Sequence, residues 1–288
     1  MRHAAASRRG DDSLAPTCED PFMDRTVGAE LGITAHGECQ VELQIAVARS
    51  AGLQVTEQLS IVHQDVELTP VELVTAHGGR VHLVTLPSGQ SRVRYRAQVR
   101  GTADTSEHSP IDQSLYRRPS RYVESDTFGG FASAEFAGVH GGELLQAVSS
   151  WVGMRLSYVP GSSGPADGAT DTLLRGAGVC RDYAHLVLAL LRALRVPARL
   201  VAVYAPGCDP MDFHAVVEAF VDDGWYVVDA TALAPRSSLT RIATGRDAAD
   251  TAFMTTVVGR SDLDWSHVTA VTDHRLPDDD LDQMVAIH

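Results

Sequence analysis

Hydrophobic and polar positions alternate with a period of two through most of the first hundred residues. In 39–47, Val41, Leu43, Ile45 and Val47 fall on one face while Gln40, Glu42 and Gln44 fall on the other. That is the pattern of a half-buried strand. The same alternation predicts strands over 53–59, 66–74 (broken by Pro70), 80–86 and 91–99, with strand patterning beginning at Met23. Turn residues separate them, Ala76-His77-Gly78-Gly79 and Pro87-Ser88-Gly89 among others. Along the last run Arg92, Arg94 and Arg96 alternate with Tyr95, so one of its faces is wet and charged. The unit predicted over 23–103 is an antiparallel β-sandwich.

The period then changes. Residues 104–126 are polar, carry Pro110 and Pro119, and read as a linker; residues 1–22 read as a poorly ordered polar tail. Helical spacing appears over 142–152, followed by a Gly/Ser/Pro/Asp loop at 160–168. The strongest helical pattern, 180–195, is apolar on several faces and is stopped by Pro197, so a buried helix is predicted. Strand-like runs follow at 198–205, 213–221 and 224–230, the last two joined by the turn Asp222-Asp223. The second unit, 127–288, is therefore α+β. A linker of this composition buries little, so the second unit is expected to fold as a separate fragment.

Composition narrows the possible roles. An apolar content of 44% supports a real core, and 24 basic against 37 acidic residues give a formal charge of −13. Phosphate backbones and anionic lipid surfaces would be repelled, which argues against nucleic-acid and membrane partners. No run reaches the ~18 apolar residues a membrane helix needs, and Arg8-Arg9 leads into Gly10-Asp11-Asp12 rather than an apolar signal segment. Four cysteines, Cys18, Cys39, Cys180 and Cys208, do not make a disulfide scaffold in 288 residues. A reducing, cytoplasmic setting is expected, in which a special thiol is catalytic or a metal ligand.

Cys180 follows Gly176-Ala177-Gly178-Val179 and opens the buried helix. Unpaired N–H groups and the positive end of the helix dipole favour a thiolate there, and the glycines leave room for a substrate backbone. His214 begins one predicted strand and Asp229 ends the next; a short turn pairs those strands antiparallel, bringing acid to imidazole. Nucleophile, base and orienting acid are then all present. Cys180, His185, Cys208 and His214 also offer four zinc-ligand types, but at irregular spacing and with His185 inside an apolar helix. Elsewhere the readings are structural. His185 is a core histidine, Asp182 a cap on the helix start, Tyr204 and one of Trp225 and Tyr226 packing residues, and Cys208 an exposed loop thiol. Arg246 and Asp247 either border the cleft or form an ion pair.

Gly178-Val179-Cys180-Arg181-Asp182-Tyr183-Ala184-His185 and Leu191-Arg192-Ala193-Leu194-Arg195-Val196-Pro197-Ala198-Arg199 resemble the core of the transglutaminase-like superfamily of cysteine enzymes. Phe213-His214-Ala215-Val216 and Trp225-Tyr226-Val227-Val228-Asp229-Ala230-Thr231 resemble its histidine and aspartate strands, and 243–250 resembles its bacterial members. The resemblance is specific over about 140–257 and weak over 24–103. It implies a papain-like core behind an amino-terminal β domain, with Cys180 as nucleophile, His214 as base and Asp229 as orienter, and with no cofactor or metal. Val216 stands where a Trp is usual, and Ala230 replaces the Pro of an Asp-Pro-Thr pattern. The implied reaction is acyl transfer from a peptide or amide substrate through a thioester. Hydrolysis is the favoured outcome, amine transfer shares the same site, and a non-catalytic peptide-binding module is the rival from another class. Oligomeric state is left open by the sequence.

Overall fold

The computed structural model describes residues 24–104 and 110–287. The predicted tail 1–22, Cys18 with it, and residues 105–109 of the predicted linker lie outside the described residues. The first third supplies β1 (Arg25–Ala35), β2 (Cys39–Leu43), β3 (Leu53–His63), β4 (Val66–Glu67), β5 (Val71–Val74), β6 (Arg80–Leu86) and β7 (Gly89–Gly101). After these come α1 (Pro110–Leu115), α2 (Gly129–Glu135), α3 (Gly141–Arg155), β8 (Ser157–Tyr158), α4 (Ala169–Arg175), β9 (Ala177–Gly178) and α5 (Cys180–Ala193). The chain continues with β10 (Ala198–Tyr204), β11 (His214–Val221), β12 (Gly224–Val228), β13 (Thr240–Gly245), α6 (Ala248–Thr251), β14 (Met254–Val258) and β15 (Ser261–Thr272).

The fold is α+β, as the patterning predicted: a β-sandwich joined to a core in which one helix packs on an antiparallel sheet. The sandwich sheets run β15-β1-β7-β3-β4 and β14-β2-β6-β5. Their facing sides bury Val27, Leu31, Ile33, Val41, Leu43 and Val93, among others. The core sheet runs β12-β11-β10-β13, and α5 lies against it with Leu186, Val187, Leu190 and Leu191 buried over Leu200, Val217 and Ala219. Burying so many large aliphatic side chains, at about 1.5–3 kcal/mol each, is what fixes α5 in place.

Two sequence boundaries shift. The alternation over 39–47 predicts one strand, but strand pairing stops at Leu43; beyond it the Gln44 backbone N–H donates to the Phe253 carbonyl at 3.0 Å and its side-chain amide to the Asp250 carbonyl at 3.0 Å. Ile45 and Val47 stay buried for another reason. The Ile45 carbonyl accepts from the Tyr204 hydroxyl at 2.7 Å, and the Val47 N–H donates to the Tyr95 hydroxyl at 2.9 Å. The apolar stretch is a seat between sandwich and core.

The second shift concerns the division at 127–288. The strands β14 and β15 belong to the sandwich: β15 pairs with β1 from Arg25↔Thr272 to Ala35↔Ser261, and β14 pairs with β2. The predicted linker also packs. Tyr116 and Val123 are buried, the Tyr116 carbonyl accepts from Ala198 N at 3.0 Å, and its ring meets Trp225 edge-on at 5.8 Å. A local period cannot report partners two hundred residues away, which is why the last two strands look from sequence like part of the second unit. A fragment spanning 127–288 is thus expected to precipitate rather than fold, since it would expose the pairing edges and apolar faces of β14 and β15. Thermal unfolding of the purified fragment checks this; a cooperative transition of its own would overturn it.

Candidate active site

Cys180 is the first residue of α5. Its approach is shaped by Gly178, where a Cβ would come within 2.5 Å of the Asp182 Cβ. Asp182, fully buried, caps the helix start: its Oδ2 accepts from Val179 N at 2.8 Å and from the Ser163 hydroxyl at 2.5 Å. Arg181 reaches back to the Gly164 carbonyl at 3.1 Å, so the Gly/Ser loop is tied to the turn that presents the thiol. The Asp182 and Tyr183 N–H groups close on the Val179 carbonyl at 2.8 and 3.1 Å and complete the first turn behind the thiol.

His214 opens β11, and Asp229 follows the last residue of β12. Antiparallel pairing of those strands, in register from Val217↔Val228 to Val221↔Gly224, sets the two side chains against each other. His214 Nε2 lies 2.8 Å from Asp229 Oδ2, and both side chains are almost wholly buried. Asp229 Oδ1 accepts from Thr231 N at 2.9 Å and from Thr231 Oγ1 at 2.7 Å, and the Ser149 hydroxyl of α3 donates to the Asp229 carbonyl at 3.3 Å. Burial alone would protonate Asp229, but the His214 charge and the hydrogen bonds from His214 and Thr231 outweigh it and hold the carboxyl below the usual range. At His214 burial likewise disfavours the charged form. The Asp229 charge and hydrogen bond, aided by the Cys180 sulfur, overcome that and raise the imidazole well above its ordinary value.

The thiol completes the arrangement. Cys180 Sγ lies 3.8 Å from the Phe213 carbonyl, one residue before His214. With Nε2 of His214 on Asp229, its buried Nδ1 has no oxygen or nitrogen partner among the described residues and is the nitrogen left to serve the Cys180 sulfur. The structure thus brings together Cys180, His214 and Asp229, in the order the sequence suggested.

The other candidates are placed apart. His185 stacks on Tyr122 at 5.2 Å and its Nε2 accepts from Ala248 N at 3.2 Å; burial pushes its pKa down to about 4, so it is a neutral core histidine. That ring cannot join Cys180, Cys208 and His214 around a metal, and among the described residues no group of three or more His, Cys, Asp or Glu is gathered for one. Asp247 accepts from Tyr122 N at 2.9 Å and caps α6, while Arg246 pairs with Asp250 at 2.8 Å. Tyr204 is sealed under the sandwich, and Trp225 stacks on the Arg199 guanidinium at 4.0 Å. Cys208 is buried rather than exposed; its sulfur donates to the Pro210 carbonyl at 3.5 Å, and burial raises its pKa. Val216 shares a buried cluster with Cys208, Leu239 and Ile287.

One site residue escaped the sequence reading. Tyr158, on the short β8 paired in parallel with β9, places its hydroxyl at the Cys180 backbone N–H. Burial, together with the nearby Cys180 sulfur, lifts its pKa above the tyrosine norm, so it stays a neutral donor. The only signal in the sequence was an aromatic residue beside a Gly/Ser loop.

A cysteine at a helix start, a histidine opening one strand and an aspartate just past its paired neighbour form the arrangement that the resemblance to transglutaminase-like cysteine enzymes implies. Residues 136–230 match the sequence model of the Transglutaminase-like superfamily. An uncharacterised protein of Mycobacterium leprae is 33% identical over 97 residues, 31% of this chain; the match spans only 34% of that protein. A crystal structure of a candidate cysteine protease from Cytophaga hutchinsonii superposes with a TM-score of 0.81 at 27% identity, over 88% of this chain and 92% of that one. The periplasmic domain of TgpA from Pseudomonas aeruginosa aligns at 19% identity and a TM-score of 0.39, over 74% of this chain and 90% of that one. Cysteine-based catalysis is the chemistry this likeness supports. No helix among the described residues is long and apolar enough to cross a membrane.

Proposed function

We propose that the protein is a cysteine-dependent amide hydrolase acting through Cys180, His214 and Asp229. The observation that carries the reading is the buried His214–Asp229 contact of 2.8 Å, whose remaining imidazole nitrogen is free for the thiol at the start of α5. In this reading His214 Nδ1 takes the Cys180 proton as sulfur attacks the carbonyl carbon of a peptide or amide. Negative charge on the carbonyl oxygen is met by the Cys180 N–H and the Tyr158 hydroxyl. The protonated His214 gives its proton to the departing amine, leaving a thioester; water, deprotonated by His214, then releases the acid and restores the thiol. Asp229 holds the ring with its proton on Nε2 throughout.

The first test is selective labelling. Cys180 is half-buried, whereas Cys39 and Cys208 are buried and burial pushes both thiols up. Brief iodoacetamide treatment at pH 6, read by mass spectrometry, is expected to alkylate Cys180 first. Faster labelling of Cys39 or Cys208 sinks the nucleophile assignment. Turnover of a peptide and amide library, with and without an added primary amine, then separates hydrolysis from amine transfer.

A further inference from the structure

The outer face of the five-stranded sandwich sheet carries a groove of about 740 Å³, built from β1, β3, β7 and β15 and sharing no residue with the Cys180 site. This is within the usual size of small-ligand sites. Its floor is unusual in one respect. Trp265 lies across Gly32, where a Cβ would sit 2.2 Å from the indole nitrogen, so only bare backbone lets the ring rest there. Trp265 is nevertheless 42% exposed, while Trp151 and Trp225 are buried. The Arg92 guanidinium stands over the ring at 5.7 Å from its centroid, leaving the rest of the indole open. Glu30 engages Arg94 at 3.0 Å and Arg96 at 3.6 Å, and Asp264 accepts the Thr34 hydroxyl at 2.7 Å. Among the described residues no carboxylate pairs with Arg92. Gln58, Ser60 and Gln90 are among the other lining residues, and each can both donate and accept.

These features select a ligand chemistry. A phosphodiester strand or an acidic peptide would present repeated negative charge to a groove that holds Asp264 and whose Arg94 and Arg96 are already engaged by Glu30, on a chain of formal charge −13. Only one guanidinium is unspent. An exposed indole face suits a flat apolar surface such as the face of a pyranose ring, and the amide and hydroxyl side chains suit sugar hydroxyls, which also donate and accept. A carboxylate on that sugar's rim would fall toward Arg92, where bidentate pairing is available. We propose that the groove binds an oligosaccharide containing a uronic acid, its ring stacked on Trp265, its carboxylate on Arg92 and its hydroxyls on Gln58, Ser60 and Gln90.

The test is calorimetric titration of the full chain at physiological salt with a glucuronic acid–xylose disaccharide, which carries a single carboxylate, its methyl ester and hexaglutamate. The free acid is expected to bind and to quench indole fluorescence, the ester to bind roughly tenfold more weakly, and hexaglutamate not to bind. Trp265→Ala should cost roughly tenfold or more, and Arg92→Gln should abolish the preference for the free acid over the ester. Both variants should keep the unfolding midpoint and the Cys180 alkylation rate of the parent chain. Should Trp265→Ala fail to fold, the Arg92→Gln titration decides alone. No heat with any of the three ligands, hexaglutamate binding as tightly as the sugar, or an unchanged acid preference in Arg92→Gln would overturn the proposal.

Discussion

Asp229→Asn is expected to fold like the parent chain and to lose turnover by up to about 10⁴-fold, if the equivalent change in serine enzymes carries over. The reason lies in which way an asparagine can sit. Thr231 N donates to the Asp229 Oδ1 position at 2.9 Å, so the amide oxygen must occupy it and the amide nitrogen must face His214. That nitrogen donates, forcing Nε2 of His214 to accept and moving the ring proton to Nδ1. The nitrogen that faces the thiol then carries a proton and cannot receive another. Hydrogen-bond count and side-chain volume are preserved, which is why stability should hold. Steady-state turnover and a thermal melt on the same preparation check both halves. Near-parent turnover would remove Asp229 from the catalytic set, and a collapsed melt would make it a structural residue.

Glu218→Ala is expected to be the most destabilising single change in the core sheet, by about 3–5 kcal/mol, because it strands buried charge. Glu218, on β11, is almost fully buried and receives Arg199 Nε at 2.8 Å, Arg241 Nη1 at 2.9 Å and Arg241 Nη2 at 2.6 Å. Burial opposes its charge, yet Arg241 and then Arg199 outweigh burial and hold its pKa at about 2. The sign of the pH dependence follows. A carboxylate lowered in the folded state contributes stability that is fully present above the unfolded value of about 4.3 and is lost as pH falls toward 2. The parent chain should therefore lose stability below pH ~4.3, and the variant should show less of that slope. Urea unfolding at pH 7 and pH 3 measures both; a loss under ~1 kcal/mol at pH 7, typical of an exposed pair, would overturn the assignment.

What the sequence made legible was whatever is encoded locally. The period-two runs located β3, β6 and β7, and the near-continuous apolar run located α5, because burial on one face or all faces leaves its mark on neighbouring residues. Cys180, His214 and Asp229 were legible for a similar reason: each sits at an element boundary that turn and helix signals mark. Long-range partners leave no such mark. Nothing around 254–272 announces pairing with β1 and β2, nothing around Tyr116 announces Trp225, and nothing around Tyr158 announces the Cys180 amide. Cys208 was misplaced as exposed because its Pro-Gly-Cys-Asp-Pro surroundings read as an open loop, whereas that loop folds under the site against Val216 and Leu239.

The pairing of β15 with β1 also dictates an order of assembly. On a ribosome β1 through β7 emerge early, yet the five-stranded sheet keeps one raw edge until the penultimate stretch of the chain arrives to close it. The Cys180-bearing core is in effect an insertion spliced into a sandwich, anchored at both its entry and its exit. A chain interrupted between Asp229 and β15 would carry the thiol, the imidazole and the carboxylate on a body whose other half still has an open edge strand. Such a nascent product is aggregation-prone, and only the arrival of β15 covers the exposed edge of β1.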